Sequence, residues 1–387
     1  MATADAASDL PVTPADHQRY MARALELARR GMNTTDPNPR VGCVVVNDGR
    51  VVGEGWHARA GGPHAEIVAL DAAGNDSRGA TVYVTLEPCV HHGRTGPCTE
   101  KLIDAGVGTV VAAMRDPNPA VSGKGFEALR AAGIAVTEGL LYSEAAAINP
   151  GFISRMTTGR PYVRLKLAMS LDGRTALAGG QSRWITGEEA RNEVQHLRAR
   201  SSAILTGIGT VLADDPRLDV RLDPGETGGG ARQPLRVILD SHLRTPPTAK
   251  LFSAGGPVLI ATLNARGEPA KALHRAGAEL LEIPARAKRV SLEHLMAQLA
   301  ERSVNEVHVE CGATLAGALI DERLVDELVI YVAPTMFGSE AKPLASILPA
   351  STMEDRLALR FEDVRRVGRD IRLGVRLANR PAAAERD

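Results

Sequence analysis

The tetrapeptide P-H-A-E at 63–66 and the run L-E-P-C-V-H-H-G-R-T-G-P-C at 86–98 govern the reading of this chain. They supply His64, Glu66, Cys89 and Cys98 in an order suited to zinc. One histidine and two thiolates hold Zn²⁺ and leave its fourth position open to water. Residues two apart do not share a helix face, so His64 and Glu66 do not both meet a metal from mid-helix. A helix that starts at Pro63 relaxes this, and Pro97 likewise puts Cys98 near a helix N-terminus. The positive end of a helix dipole favours thiolate and hydroxide. Zinc held this way lowers the pKa of water to about 7 and makes a nucleophile for an amidine-like carbon. Glu66, not itself a ligand, is placed to take that water's proton and return it to departing ammonia. Taken alone, Cys89 suits an unrelated core thiol. Together, H-A-E, P-C, the second cysteine and the Gly/Thr-rich loop favour the metal.

With 387 residues the chain is long for one domain and comfortable for two. It is 44% hydrophobic and 24% charged, as an ordinary globular protein is. Aromatics are 3%, so the cores must be built mainly from Ala, Val, Leu and Ile. Lys+Arg and Asp+Glu are both 46, which leaves no overall field to attract a polyanion. A small molecule is therefore favoured over nucleic acid as the partner. No apolar run reaches the roughly 18 residues of a membrane-spanning helix, so no membrane is expected. Residues 1–12 lack the basic and apolar regions of a signal peptide. They and the tail 379–387 read as disordered ends. A cytoplasmic location is expected. Four cysteines make no disulfide framework, and Cys43 reads as a buried, inert thiol.

Around the opening stretch, strands and helices alternate. Thr13, Pro14 and Asp16 form a capped helix start, and Gly31 ends that helix. Strands over 41–46 and 51–55 meet at the N-D-G turn 47–49. A helix over 64–73, a strand over 81–86, a helix from Pro97 to Gly106, and strands over 108–113 and 134–136 complete a layered α/β domain, 13–149. D-P-N-P recurs at 36–39 and 116–119, which is loop chemistry rather than duplication. Residues 143–152 read as one helix at the domain joint. A second α/β domain, 150–378, has strands over 162–170, 203–207, 235–240, 257–262, 278–283, 306–310 and 326–334. Its helices fall at 188–200, capped by Thr186, at 291–300 and at 311–320. Residues 208–234 read as a long loop with a Gly run at 228–230, and 357–367 pairs with 371–377 at the end.

The general zinc-deaminase signature spaces its cysteines as P-C-x-x-C, whereas eight residues separate Cys89 from Cys98. That departure points to one branch. H-A-E, T-L-E-P-C-x-H-H-G-R-T-x-P-C and P-N-P-R-V-G closely resemble the bifunctional deaminase/reductase family of riboflavin biosynthesis, the RibD/RibG type. L-K-L-A-M-S-L-D-G-R-T, W-I-T, T-V-L-A-D-D-P and V-E-C-G-A-T-L-A-G-A-L extend the resemblance to about residue 377. It implies an α/β chain with an N-terminal cytidine-deaminase-like three-layer domain and a C-terminal dihydrofolate-reductase-like domain. It also implies zinc-dependent hydrolytic deamination of 2,5-diamino-6-ribosylamino-4(3H)-pyrimidinone 5′-phosphate. NADPH then reduces the ribosyl group, giving 5-amino-6-ribitylamino-uracil 5′-phosphate. A homo-oligomer is expected.

The resemblance assigns His64, Cys89 and Cys98 as zinc ligands and Glu66 as the proton shuttle. Asn38, His57, His91 and Arg94 match positions that contact the pyrimidine or its phosphate, and Arg94's fork suits phosphate oxygens. His57 and His92 serve equally well as loop histidines bonded to backbone. Val90 stands where a small polar residue is expected, which alters a hydrogen bond near the site but not metal binding. In the second half no G-x-G-x-x-G follows a strand, and T-G-I-G-T at 206–210 is weak alone. Gly312 would let a phosphate approach a helix N-terminus, while Gly317 permits close packing. By resemblance Ala168, Trp184, Thr210, Asp214, Ser241, Gly312, Ala313, Thr314, Leu315, Ala316, Gly317 and Ala318 contact NADPH. Lys166, Ser182, Arg198, Leu218, Arg221 and Glu310 are assigned to substrate. Lys166 and Asp214 are the ionisable groups for proton handling, or else a snorkelling strand lysine and a loop-capping aspartate. Trp184 fits a core position as well. A nucleoside or polynucleotide-editing deaminase with an appended domain, or a nucleotide-sensing second half, are the rival readings; balanced charge argues against the first.

Overall fold

The computed structural model describes residues 13–90, 96–182, 184–227 and 232–378. The leader 1–12, the Gly run 228–230 and the tail 379–387 lie outside the described residues. The chain divides into two compact units between Thr157 and Thr158.

In the first unit α1 (Pro14–Arg30) begins at a reciprocal cap: Asp16 N donates to Thr13 Oγ1 at 3.2 Å, and Thr13 N donates to Asp16 Oδ2 at 3.1 Å. The strands are β1 (Gly42–Asn47), β2 (Arg50–Trp56), β3 (Thr81–Val84), β4 (Thr109–Ala112) and β5 (Ala135–Glu138). They form one sheet in the order β2-β1-β3-β4-β5, antiparallel up to β3 and parallel beyond it. Helices α2 (Ala65–Ala73), α3 (Cys98–Asp104) and α4 (Lys124–Ala131) bury Ala69, Leu102, Phe126 and Leu129 against Cys43, Val45, Val82 and Val110 on one face. α1 lies on the other. These are the three layers expected of a deaminase-like domain.

Glycines set how closely the helices approach. A Cβ on Gly42 would sit 2.0 Å from Ala24 O of α1. On Gly53 and Gly55 it would sit 2.1 Å from Ala69 O and 2.3 Å from Ala65 O of α2. The first turn of α2 therefore rests directly on β2 backbone. The single helix expected over 143–152 is two, α5 (Tyr142–Ile148) and α6 (Pro150–Thr158). Pro150 cannot continue a helix, and Asn149 turns its amide to Arg40, accepting from N at 2.8 Å and donating to O at 2.9 Å.

The second unit carries a sheet ordered β11-β10-β9-β8-β14-β6-β15-β18-β17. Its strands are β6 (Tyr162–Ser170), β8 (Ala203–Gly207), β9 (Leu235–Leu239), β10 (Val258–Thr262), β11 (Ala278–Glu282), β14 (Glu306–Glu310), β15 (Glu327–Ala333), β17 (Leu359–Val367) and β18 (Asp370–Leu377). Two short ribbons pair β7 (Arg174–Ala176) with β16 (Lys342–Pro343), and β12 (Ala285–Arg286) with β13 (Arg289–Val290). All pairings from β11 to β15 are parallel, and the last two strands close the edge antiparallel. Helices α10 (Leu292–Glu301) and α11 (Ala313–Asp321) pack Leu295, Leu299, Ala316 and Leu319 on one face. α8 (Ile208–Asp214) and α9 (Gly267–Arg275) pack Val211 and Leu273 on the other, where α7 (Glu188–Arg200) covers β15.

Two local expectations differ. The loop expected from 208 opens with α8, because Ile208 and Val211 are buried at helical spacing although Gly209 lowers intrinsic propensity. The N-cap of α7 is Gly187 rather than Thr186, and Asp370 Oδ2 accepts from its N–H at 2.7 Å. A distant side chain has replaced the local one.

Because β2 backbone supports the first turn of α2, Gly55→Ala should cost about 1–3 kcal/mol through overpacking. It should also lower metal content, and both effects are read by urea titration and metal analysis of the same sample.

Candidate functional site

The loop after β3 carries Glu87, which is buried and accepts from Asp116 N at 3.0 Å, Gly123 N at 2.9 Å and Gly125 N at 2.8 Å. These bonds anchor the segment that presents Cys89. His64 is the N-cap of α2 and Cys98 the first residue of α3. Cys98 N donates to Cys89 Sγ at 3.4 Å, and Thr99 N donates to Cys89 O at 3.3 Å. His64 Nδ1 lies 3.2 Å from Cys98 Sγ and 3.5 Å from Cys89 Sγ, and all three atoms fall within 4.8 Å of one another. Tetrahedral zinc bonds of about 2.0–2.1 Å to nitrogen and 2.3 Å to sulfur place such atoms roughly 3.6 Å apart. The donor set and its spacing fit that metal. Hydrogen bonding from Cys98 holds the Cys89 thiol well below its ordinary value, and Cys98, which keeps its proton, is pushed up in return. A bound metal would displace that proton.

Glu66 is buried in the first turn of α2, and burial followed by the charge of Cys89 raises its carboxyl above the usual range. A carboxyl raised in this way holds a proton more readily between accepting and passing it on. His57 donates from Nδ1 to Pro63 O at 2.9 Å and accepts at Nε2 from Asn38 at 3.0 Å, a tautomer assigned from these partners. Burial keeps its ring neutral by lowering its pKa. The ring meets His64 edge-on, with centroids 5.5 Å apart. His57 is thus a backbone-bonded loop histidine that also stands beside the cluster. His91, His92 and Arg94 lie outside the described residues.

A cavity of about 1790 Å³ opens in the second unit at the carboxyl ends of β9, β8 and β14 and beside Lys166 and Ala168 of β6. Open parallel sheets bind ligands in that position. Lys166, Ala168, Ser182, Trp184, Arg198, Thr210, Asp214, Leu218, Arg221, Ser241 and Glu310 all line it. So do Gly312, Ala313, Thr314, Leu315 and Ala318, whereas Ala316 and Gly317 do not. Ala316 is in the core, and a Cβ on Gly317 would lie 2.0 Å from Ser346 O. Trp184 is 70% exposed under the Arg191 guanidinium and is no core residue.

Arg198 holds Glu310 bidentately, Nε donating at 2.6 Å and Nη2 at 2.9 Å, while its Nη1 donates to Asp219 O at 3.0 Å. Burial alone would raise Glu310; Arg198 and His308 outweigh it and keep the carboxyl well below the usual range. Burial lowers the Lys166 ammonium from its ordinary value, with Glu310 opposing. Sequence reasoning missed His308 and Asp116. His308 is fully buried with Nε2 3.3 Å from Glu310 Oε1, and the alternation E-V-H-V-E carried its signal. Asp116 lies in a D-P-N-P dismissed as loop; burial, then Glu87 and Cys89, push it up to about 7.

Fold and site together define two enzymes on one chain, a zinc-binding deaminase unit and a reductase unit. Residues 14–114 match the cytidine and deoxycytidylate deaminase zinc-binding region, and residues 161–373 match the RibD C-terminal domain. The riboflavin biosynthesis protein RibD of Escherichia coli is 49% identical over 359 residues, covering 91% of this chain and 97% of that protein. The Haemophilus influenzae RibD is 49% identical over 364 residues, covering 92% and 95%. The solved RibD of Acinetobacter baumannii superposes with a TM-score of 0.87 at 46% identity, over 94% of this chain and 99% of that one. A Thermotoga maritima diaminohydroxyphosphoribosylaminopyrimidine deaminase/5-amino-6-(5-phosphoribosylamino)uracil reductase gives 0.83 at 36%, over 94% and 99%. The chain belongs to the RibD family, the bifunctional deaminase/reductases of riboflavin biosynthesis. Among the described residues no helix is long and apolar enough to cross a membrane.

Replacing Glu310 by Gln leaves Arg198 buried without its counter-charge and should destabilise the second unit by about 3–5 kcal/mol. A carboxyl depressed on folding contributes stability above its unfolded value, about 4.3, and loses it as pH falls further. The gap between wild type and variant, measured by urea titration, should therefore be full at neutral pH, begin to narrow below about pH 4 and close only as pH falls through the carboxyl's much lower folded value.

Proposed function

We propose that the first unit hydrolyses the amine from 2,5-diamino-6-ribosylamino-4(3H)-pyrimidinone 5′-phosphate, and that the second reduces the ribosyl group of the product to ribityl. The observation that carries the reading is the convergence of His64, Cys89 and Cys98 beside buried Glu66. Those three side chains would hold Zn²⁺, which would supply the Lewis acidity that makes water a nucleophile near neutral pH. Glu66 takes the proton from that water at its carboxylate and passes it to the leaving nitrogen. The raised carboxyl suits a group that must both accept and donate. Asn38, His57, His91 and Arg94 orient the pyrimidine or its phosphate, and His57, tied to Pro63 O, also fixes the entry to α2.

In the second unit NADPH, when bound, supplies the hydride. Ala168, Trp184, Thr210, Asp214, Ser241 and the 312–318 segment hold it. Gly312 caps α11, and a Cβ there would meet no atom within 4 Å, so the free N–H groups of that terminus stay open to a phosphate. Ala316 and Gly317 set the helix from behind. Ser182, Arg198, Leu218, Arg221 and Glu310 position the ribosyl phosphate. Reduction at the ribosyl carbon breaks its bond to the ring oxygen, and that oxygen needs one proton to become the ribityl hydroxyl; Lys166 gives it, its ammonium already made more acidic by burial. Asp214, also on the cavity wall, is the second group assigned to proton handling.

The test is a coupled assay on the authentic substrate with zinc measured on the same sample. Glu66→Gln should keep the metal and lose ammonia release by about 10²–10⁴-fold. Release at the wild-type rate would sink the mechanism. Lys166→Met should slow NADPH oxidation at least about 10²-fold, the small end of proton-transfer effects.

A further inference from the structure

Beyond β9 the cavity runs under the β12–β13 hairpin, which the reading above leaves without a task. The register pairs Ala285 with Val290 and Arg286 with Arg289, so Ala287 and Lys288 form a two-residue turn. Their φ values are +48° and +62°. Such turns favour Asn-Gly, and an L side chain in this region is strained. Arg286 and Arg289 face each other directly, a like-charge pair that also opposes folding. Arg286 is relieved by Glu322 at 3.4 Å and Glu293 at 3.9 Å. Among the described residues Lys288 and Arg289 have no carboxylate partner, although both line the cavity. A strained turn thus holds two unneutralised cations over a binding cleft, an arrangement an anionic ligand would stabilise.

The hairpin is tied to the end of β9, where Val290 N donates to Ser241 Oγ at 3.4 Å. From β6, which carries Lys166, the sheet order runs through β14 and β8 to β9. Three strand spacings span about 14 Å. With the reacting end at Lys166 and the diphosphate at the start of α11, which follows β14, the adenosine end falls at Ser241, beneath the hairpin. We infer that Lys288 and Arg289 bind the adenosine 2′-phosphate and set the preference for NADPH over NADH. This rests on the cavity being the nicotinamide-nucleotide site. NADH has a hydroxyl at that position and leaves both cations unneutralised, whereas a phosphate accepts Arg289's fork and Lys288's point charge.

The test uses the full chain, with 2′,5′-ADP and 5′-AMP as calorimetric probes and NADPH and NADH as reductants. Wild type should bind 2′,5′-ADP at least tenfold more tightly than 5′-AMP. The double variant Lys288→Ala, Arg289→Ala should cut that ratio, and the NADPH/NADH ratio of kcat/KM, at least tenfold. Lys288→Gly removes the charge while relieving the turn, so it should lower both ratios while raising Tm. A lost preference in that variant is therefore not loss of fold. Ratios that hold in the double variant, or affinities for both probes that fall alike, overturn the inference. A wild type that reduces substrate equally well with either nucleotide overturns it and leaves the reductase reading standing. A wild type that oxidises neither overturns both.

Discussion

A carboxylate buried at the end of a central strand stays charged only if a cation is buried with it. Glu310, largely withdrawn from water, meets that demand through Arg198, and a second set of ion pairs lines the same face. β14 alternates: Val307 and Val309 face the apolar layer of α10 and α11, while Glu306, His308 and Glu310 face α7. Arg164 from β6 donates to Glu306 at 3.0 Å and to Glu327 at 2.8 Å, and Arg200 from α7 lies 3.3 Å from Glu306. α7 is therefore positioned by charge as well as by Ala190, Val194 and Leu197. Sliding it would separate ions that the interior cannot leave unpaired. The same fixing keeps the cavity wall in register with Lys166.

The first unit solves its positioning problem by leaving side chains out. Gly53 and Gly55 bring the start of α2 onto β2, and Gly125 lies so close to Pro88 that a Cβ would sit 2.3 Å from its carbonyl oxygen. Glu87 completes the frame by gathering three backbone N–H groups from the 116–125 segment. Cys89 and the first turn of α2 are then presented by backbone held close to its neighbours. The ligand geometry is a property of the packing rather than of the ligands alone.

What could be read from residues was whatever a local pattern determines. The Thr13 cap, the alternating strands, and the cluster at 64, 89 and 98 were legible because neighbours along the chain carry the signal. The reductase cleft was not, since its wall is assembled from strand ends far apart in sequence and has no compact glycine motif; resemblance supplied it. The break at Asn149, the shift of the α7 cap to Gly187, and the role of Glu87 depend on Arg40, Asp370 and the 116–125 backbone. Nothing adjacent announces those partners. His308 and the 286–289 hairpin were missed for a different reason, because alternating charge in a strand and non-glycine residues in a turn look unremarkable until burial and φ are known.

The metal-binding triad draws one ligand each from the start of α2, the loop after β3 and the start of α3. No short segment of unfolded chain reproduces that arrangement. Ion occupancy and folding are consequently linked by mass action: free metal at 100 times its dissociation constant adds about 2.7 kcal/mol to the folded state, less whatever the unfolded chain binds. An ion held there would therefore stabilise the first unit as well as serve its chemistry.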